Sequence, residues 1–252
     1  FDMSFKGTFT YAHNKVLEYD EPDFQKYPNI SRVGHSVDQQ LLYIAERLFI
    51  DDSEVQRNPK QNLGGWVSGG DIKYKNLPDV NGNYDNVIDS NDRQYTGMPT
   101  TPEIVYGFGP SFRYKKFDFS FFFQGAARVS IMMNGIHPFG AEGIRNVLQF
   151  IADDYWSETN QNIYAEYPRL SKRDNENNTK ASTYWQRNGA FLKLKNLEVG
   201  FNHKFFRVYL RGSNLLTFSP FKYWDPEMGS GSGLSYPTQR VFNVGVQFSI
   251  NK

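Results

Sequence analysis

Ile104-Val105-Tyr106-Gly107-Phe108-Gly109-Pro110-Ser111-Phe112-Arg113-Tyr114 is followed, after Lys115-Lys116, by Phe117-Asp118-Phe119-Ser120-Phe121-Phe122-Phe123-Gln124. In the first run Ile104, Tyr106, Phe108, Phe112 and Tyr114 fall on one side of an extended chain, with Gly107, Gly109, Ser111 and Arg113 on the other. In the second, Phe117, Phe119, Phe121 and Phe123 oppose Asp118, Ser120 and Gln124. Side chains of a strand alternate between its two faces, so a period of two reads as strand. Lys115-Lys116 leaves room only for a tight turn between them.

The same period recurs along the chain. Phe1, Met3, Phe5, Phe9 and Tyr11 oppose Asp2, Ser4, Lys6, Thr8 and Thr10, and Phe242, Val244, Val246, Phe248 and Ile250 oppose Asn243, Gly245, Gln247 and Ser249. Phe206, Val208 and Leu210 oppose Arg207, Tyr209 and Arg211. Between Phe191 and His203 the phase changes, from Leu192 and Leu194 to Leu197, Val199 and Phe201, which predicts a β-bulge near Lys195 and Asn196. The expected strands lie near 1–13, 103–115, 117–133, 190–203, 206–217 and 239–250.

Their connections are unequal. Lys115-Lys116 and His203-Lys204-Phe205 are tight turns, whereas Asn14 to Pro102, Asn134 to about Asn188 and Ser219 to about Thr238 are long. Counting up and down, the short turns share one end and the long loops the other, as in outer-membrane barrels. The fold expected is all-β: an antiparallel up-and-down sector of a transmembrane β-barrel, with long extracellular loops and one short loop helix. About six strands are too few for a transporter barrel, since single-chain barrels begin at about eight. Phe1 opens inside an alternating strand, so the chain reads as a piece of a longer protein.

Composition agrees. Of 252 residues, 39% are hydrophobic and 17% aromatic, with 22 Phe and 16 Tyr, a polar chain rich in rings. A wall between lipid and water, with aromatic girdles at its borders, has this character. The net charge of +1, from 28 basic and 27 acidic residues scattered along the chain, gives no field for nucleic acid. There is no cysteine, hence no disulfide or thiolate chemistry. No run of about 18 apolar residues exists for a transmembrane helix. The four His (13, 35, 137 and 203) are dispersed, and neither H-E-x-x-H nor a nucleophile elbow occurs, so no enzyme is expected. Carboxylates are numerous enough that a glycosidase-like pair could meet in space, and Gly229-Ser230-Gly231-Ser232-Gly233 reads as a flexible loop tip.

Beyond alternation, a series of short stretches resembles the C-terminal region of SusC/RagA-like TonB-dependent receptors. They include Asn14-Lys15-Val16-Leu17, Gly70-Asp71-Ile72-Lys73-Tyr74-Lys75, Val87-Ile88-Asp89-Ser90-Asn91-Asp92-Arg93 and Pro102-Glu103-Ile104-Val105-Tyr106-Gly107-Phe108-Gly109. Further on come Phe123-Gln124-Gly125-Ala126, Tyr167-Pro168-Arg169-Leu170, Ser182-Thr183-Tyr184-Trp185, Leu192-Lys193-Leu194-Lys195-Asn196-Leu197, Ser213-Asn214-Leu215-Leu216-Thr217 and Trp224-Asp225-Pro226-Glu227. They keep the family's order over nearly the whole chain. The resemblance implies a 22-stranded barrel in the bacterial outer membrane, a plug and a TonB-contacting segment outside this chain, and a SusD-like surface lipoprotein. It implies TonB-energised uptake of an oligosaccharide or peptide.

Several residues are candidates for sites. Asp79, Asn81, Asp85, Asp89 and Asp92 resemble the acidic loop of calcium modules, with two residues inserted around Asn83-Tyr84 and Asn86 where Gly is usual. Hard oxygens on a tight loop suit Ca²⁺, and the same residues equally suit an Asx-rich turn. Tyr184, Trp185, Tyr223 and Trp224 lie where long loops meet strands, as ligand-stacking rings or as anchors at the headgroup level. Arg113, Arg207 and Arg211 fall opposite the apolar face and are expected to face the lumen. Ile144, Val147, Leu148, Ile151 and Tyr155 predict a short helix ending near Trp156, packed on its own loop or against a partner. The rival architecture is a secreted, calcium-stabilised β-sandwich that binds carbohydrate, whose strands would alternate for the same reason.

Overall fold

A computed structural model describes residues 1–138, 146–172 and 175–249. The chain divides into two compact units, one of residues 1–13, 99–131 and 188–252 and the other of residues 14–98 and 132–187.

The first unit is built on one antiparallel sheet of six strands. In chain order they are β1 (Asp2–Tyr11), β2 (Ile104–Tyr114), β3 (Phe117–Ala127), β4 (Phe191–Asn202), β5 (Phe206–Phe218) and β6 (Val241–Phe248). Spatial order follows chain order, so each strand pairs with its predecessor. Tyr114 pairs with Phe117 across the Lys115-Lys116 turn, and Asn202 with Arg207 across the other tight turn. The three long connections therefore leave from the opposite end.

One boundary departs clearly from the expected one. β3 stops at Ala127 because Arg128 adopts a left-handed backbone (φ 52°), and Ser130–Met132 form a separate short strand. Where β3 ends, Glu103 binds three segments together. Its carboxylate meets Arg128 Nε at 2.5 Å and His13 Nδ1 at 2.5 Å. The β4 bulge falls where the phase change placed it, with the register shifting between Leu194 and Asn196 against both neighbours. Ile250 of the expected last strand lies outside the described residues.

Register fixes the two faces. Phe5, Phe9, Phe108, Phe112, Phe119, Phe123, Val199, Leu210, Val244 and Phe248 share one, and Ser4, Ser111, Asp118, Ser120, Glu198, Arg207, Arg211 and Gln247 share the other. The apolar face is open: Phe5 is 63% exposed, Phe9 70%, and Val244 and Phe248 each 75%. A sandwich would bury this face against a second sheet. A wall in lipid leaves it bare, because hydrocarbon replaces the missing layer. Glycines let rings lie flat on the sheet. A Cβ on Gly125 would stand 2.4 Å from the Tyr106 ring, and one on Gly245 2.2 Å from Tyr209.

The second unit has its own core, where the sequence suggested loops. Gln40–Tyr43 pairs with Arg93–Thr96, Ala45–Leu48 with Ile72–Tyr74, and Lys60–Gln61 runs parallel to Val87–Ile88. Leu42, Leu48, Phe49, Ile72, Tyr74, Ile88, Ile151, Trp156 and Trp185 are buried there. Of the expected helix, Gln149–Asp153 forms a short one with Ile151 buried, and Ile144 lies outside the described residues.

At the centre sits Asp71, 0% exposed. Arg169 Nε approaches its Oδ1 at 2.8 Å, and the Arg169 guanidinium donates to Oδ2 at 3.0 Å. The amides of Asn175 and Asn178 donate at 2.9 and 2.8 Å, and the Ser68 N–H at 2.8 Å. Asn178 in turn accepts from the Ile72 N–H, while Asn177 donates to the Ile72 carbonyl. The motif Gly70-Asp71-Ile72 is thereby tied to the Asn175–Thr179 turn more than a hundred residues away. A buried carboxylate is tolerable only when its lone pairs are filled in this way.

Glu54 makes the other dense contact of this unit. Arg47 donates to it at 2.5 and 3.0 Å, Lys73 at 3.1 Å, and the Ile50 N–H at 2.9 Å. Burial opposes its ionisation, but these donors prevail and bring its carboxyl down to about 2.

Two outcomes follow for the intact parent protein. Asp71→Ala strands the Arg169 charge and should cost the second unit about 3 kcal/mol; limited proteolysis should then cut within residues 14–98 and 132–187. The gel shift on boiling that reports the barrel should stay unchanged. Because the folded Glu54 carboxyl titrates below its ordinary 4.5, its stabilisation is complete above that value and is lost as pH falls towards 2. The difference in tryptophan-monitored melting between Glu54→Gln and the unaltered protein should be largest at neutral pH and vanish near pH 2.

Candidate polar face and its strap

Across the turn end of the polar face, ion pairs link three strands. Arg207 of β5 donates to Asp118 Oδ1 of β3 at 2.5 Å and to Glu198 Oε1 of β4 at 2.6 Å. Asn202 also donates to Asp118. Gly200 lies between them, and a Cβ there would stand 2.6 Å from the Asp118 carboxylate. The missing side chain is what lets an aspartate and an arginine two strands apart meet over β4. Arg113 stands exposed in register with Asp2 on one side and Asp118 on the other. Arg211 is exposed and donates to Asn196 Oδ1 at 3.0 Å. All three arginines thus occupy the polar face, and Arg207 alone is built into a network.

At the other end the face is roofed. The connection between β5 and β6 folds back over β4 and is held there by two lysines that alternation places on the polar side. Lys193, 1% exposed, pairs with Asp225 and, at 2.6 Å, with Glu227 Oε2. Lys195, the bulged residue, reaches Glu227 Oε1 at 2.8 Å. Burial opposes ionisation of Asp225, yet Lys193 and the Glu227 N–H hold its carboxyl below the ordinary value. Asp225 also caps the 3-10 turn Pro226–Met228. The indole of Trp224 donates to the Gly229 carbonyl at 3.0 Å and lies over Gly233. We call residues 219–240 the strap.

Beneath the strap the face changes character. A cavity of about 290 Å³ lies between Pro226, Glu227 and Gly229 above and Val105, Gln124, Ala126, Val129, Ile131 and Phe191 below. These wall residues are the inward-facing ends of β2, β3 and β4 and the segment after β3.

The expected sites are placed as follows. Trp185, 2% exposed, donates its indole N–H to the Asn178 carbonyl, and Tyr184 donates to the Ala165 carbonyl at 2.7 Å. Trp185 is core of the second unit and offers no flat platform to a sugar or a headgroup, while Tyr184 is half-buried beside it. Burial pushes the Tyr184 phenol up. Tyr223 and Trp224 are half-buried in the strap, where Phe221 meets Trp224 edge-on at 4.6 Å.

The acidic loop does not gather into a cation site. Asp79 Oδ1 accepts from the N–H groups of Asn81 and Asn83, each at 2.9 Å, and Asp85 accepts from Val87 at 3.0 Å. Asp89 caps the turn Ser90–Asp92, and the buried Asp92 accepts from Leu77 and from Asp89 itself. Among the described residues no three acidic or His side chains converge as metal ligands. The carboxylates of Asp79, Asp85, Asp89 and Asp92 accept from backbone N–H groups, which is the Asx-turn arrangement that the same residues suit.

Sequence reasoning passed over Lys193, Lys195, Asp225 and Glu227 as site residues. Two lysines inside an otherwise apolar strand, with two carboxylates in the next long loop, were the available signal.

No family model matches the chain. Two proteins of Formosa agariphila are similar in sequence: TonB-dependent receptor P3 is 26% identical over 274 residues, covering 97% of this chain, and TonB-dependent receptor P26 is 28% identical over 269 residues, covering 92%. The chain spans 26% of the length of each. Among solved structures, the RagAB peptide transporter matches with a TM-score of 0.64 at 20% identity, over 98% of this chain and 27% of that one. The RagAB peptide importer in its open-open state matches with a TM-score of 0.62 at 18% identity, over 98% and 26%. The chain is thus similar in sequence to part of these TonB-dependent receptors, and its sheet has the fold of one sector of a barrel of the RagAB kind. These receptors are outer-membrane proteins, and the bare apolar face suits that location.

Removing the Arg207 guanidinium would leave Asp118 and Glu198 facing each other without a cation. Arg207→Ala should destabilise the wall by about 1–3 kcal/mol, seen as a lower temperature for the gel shift of the full receptor. Arg211→Ala, which loses one hydrogen bond to Asn196, should leave that temperature within a few degrees of the unaltered protein.

Proposed function

We propose that this chain is the C-terminal barrel sector of an outer-membrane nutrient importer energised through TonB. The observation that carries the reading is the pair of faces on one sheet: bare phenylalanine and valine outward, and an ion-paired polar surface inward. The similarity to TonB-dependent receptors supports it independently. In this reading Arg113, Arg207 and Arg211 border a wet lumen, and the strap narrows it at the end of the long connections. Arg207 stays neutralised by Asp118 and Glu198, while the exposed Arg113 and Arg211 meet passing solute.

The cargo class in this reading is a glycan or a peptide, delivered with a SusD-like surface lipoprotein. The peptide arm draws support from the RagAB peptide importer, whose barrel this sheet resembles. The second unit, inserted between β1 and β2 and between β3 and β4, would supply surface to such a partner. Its exposed Trp66 and Tyr164 are apolar groups of the kind that interfaces use. The chain itself performs no covalent step in this account; the work of opening comes from the plug and TonB.

Fractionation of cells that make the full-length parent tests the reading. The protein should sediment with the outer membrane, migrate faster unboiled than boiled, and lose cargo uptake when TonB is deleted. A soluble protein with no gel shift would overturn it.

A further inference from the structure

An apolar patch on a polar face calls for an explanation. Over most of its length the inner side of the sheet presents Ser4, Ser111, Ser120, Asp118 and Arg207. Under the strap it presents Val105, Ala126 and Phe191 instead, joined by Val129 and Ile131. Pro226 and Gly229 close the cavity from above. Resting on the importer reading, we propose that this cleft is a subsite for an apolar side chain of a peptide, with the Gln124 amide holding the peptide backbone beside it.

Three features argue for a peptide and against a sugar. First, the walls are mainly apolar, with Thr100 and Ser130 among their few polar groups, and a hexose ring would bring more hydroxyls against them than these could partner, an unrecovered desolvation cost for each. Second, the charge at the rim is already neutralised. Both oxygens of Glu227 are taken by Lys193 and Lys195, so the carboxylate is not free to bind sugar hydroxyls or an ammonium group. Third, the cavity's amide is open: among the described residues nothing hydrogen-bonds the Gln124 side chain. A primary amide offers an acceptor and two donors, which matches the N–H and C=O of one peptide bond.

Size agrees. About 290 Å³ is at the lower end of small-ligand pockets, about 300–1,000 Å³, and admits a leucine- or phenylalanine-sized group but no chain of sugars. Rigidity comes from the strap. Lys193 is buried between Asp225 and Glu227, so Pro226 is fixed over the wall before any ligand arrives. Phe191 stands in register with Ala126, and Val105 with Ala126 from the other side, so three neighbouring strands supply one continuous floor.

The test uses the full-length receptor in detergent and three probes: a neutral hexapeptide containing leucine, the same peptide with serine for leucine, and maltohexaose. The leucine peptide should bind at least about tenfold tighter than the serine peptide, the difference expected from burying one apolar side chain. Val105→Trp, which fills the cleft, should abolish that preference, and Gln124→Leu should weaken the leucine peptide about fivefold or more. Equal binding of the two peptides, an unaltered preference in Val105→Trp, or maltohexaose binding that Val105→Trp removes would each overturn the inference. Retention of the outer-membrane location and gel shift in both variants shows that they fold. A receptor that keeps that location and uptake but ignores leucine sinks this subsite alone, whereas loss of the location sinks the importer reading as well.

Discussion

In hydrocarbon no water is present to satisfy a backbone N–H or C=O, so a chain that crosses must pair every one of them within itself. The main sheet meets that demand by strict succession. Each strand after the first pairs antiparallel with its predecessor, and the register holds across the sheet apart from the bulge at Lys195. Once the ladder is fixed, side chains can only alternate. One face then gathers phenylalanine and valine towards lipid, the other charge and amide towards water, and the rest of the structure follows from that division. Within the chain β1 and β6 each pair on one side only, so the sheet is a sector and not a closed wall.

Departures from regular alternation mark the places where the wall does more than cross. Gly200 lacks the side chain that would separate Asp118 from Arg207, and so permits an ion pair over an intervening strand. The bulge falls at Lys195, which together with Lys193 holds Asp225 and Glu227.

The wall was legible in the sequence because its signal is one of period. Phe117 to Phe123 could be read on sight, and even the bulge showed itself as a phase change between Leu194 and Leu197. The second unit was not legible. Its strands are two to four residues long, too short for any period to emerge. Its core instead depends on contacts between distant segments, such as Asp71 with Asn178 and Tyr74 with the Asn177 carbonyl. The same limit explains Tyr184 and Trp185. Their position at a loop's end suggested exposed rings, but burial is a property of the assembled unit. The acidic loop stayed open between two readings for a related reason, since Asx turns and calcium loops use the same residues and differ only in where the oxygens point. The lysines under the strap were visible, but their partners lie over thirty residues away.

The division of the sheet into a lipid face and a water face can be measured residue by residue. The chain has no cysteine, so single cysteines can be placed along β6 in the full receptor, in a background free of others, and labelled in native outer membranes. Cysteines at Phe242, Val244 and Val246 should react with a lipid-soluble maleimide and resist a charged one, while those at Asn243 and Gln247 should show the reverse. Equal labelling of neighbouring positions by the charged reagent would contradict the account, because no wall between lipid and water could then pass through this strand.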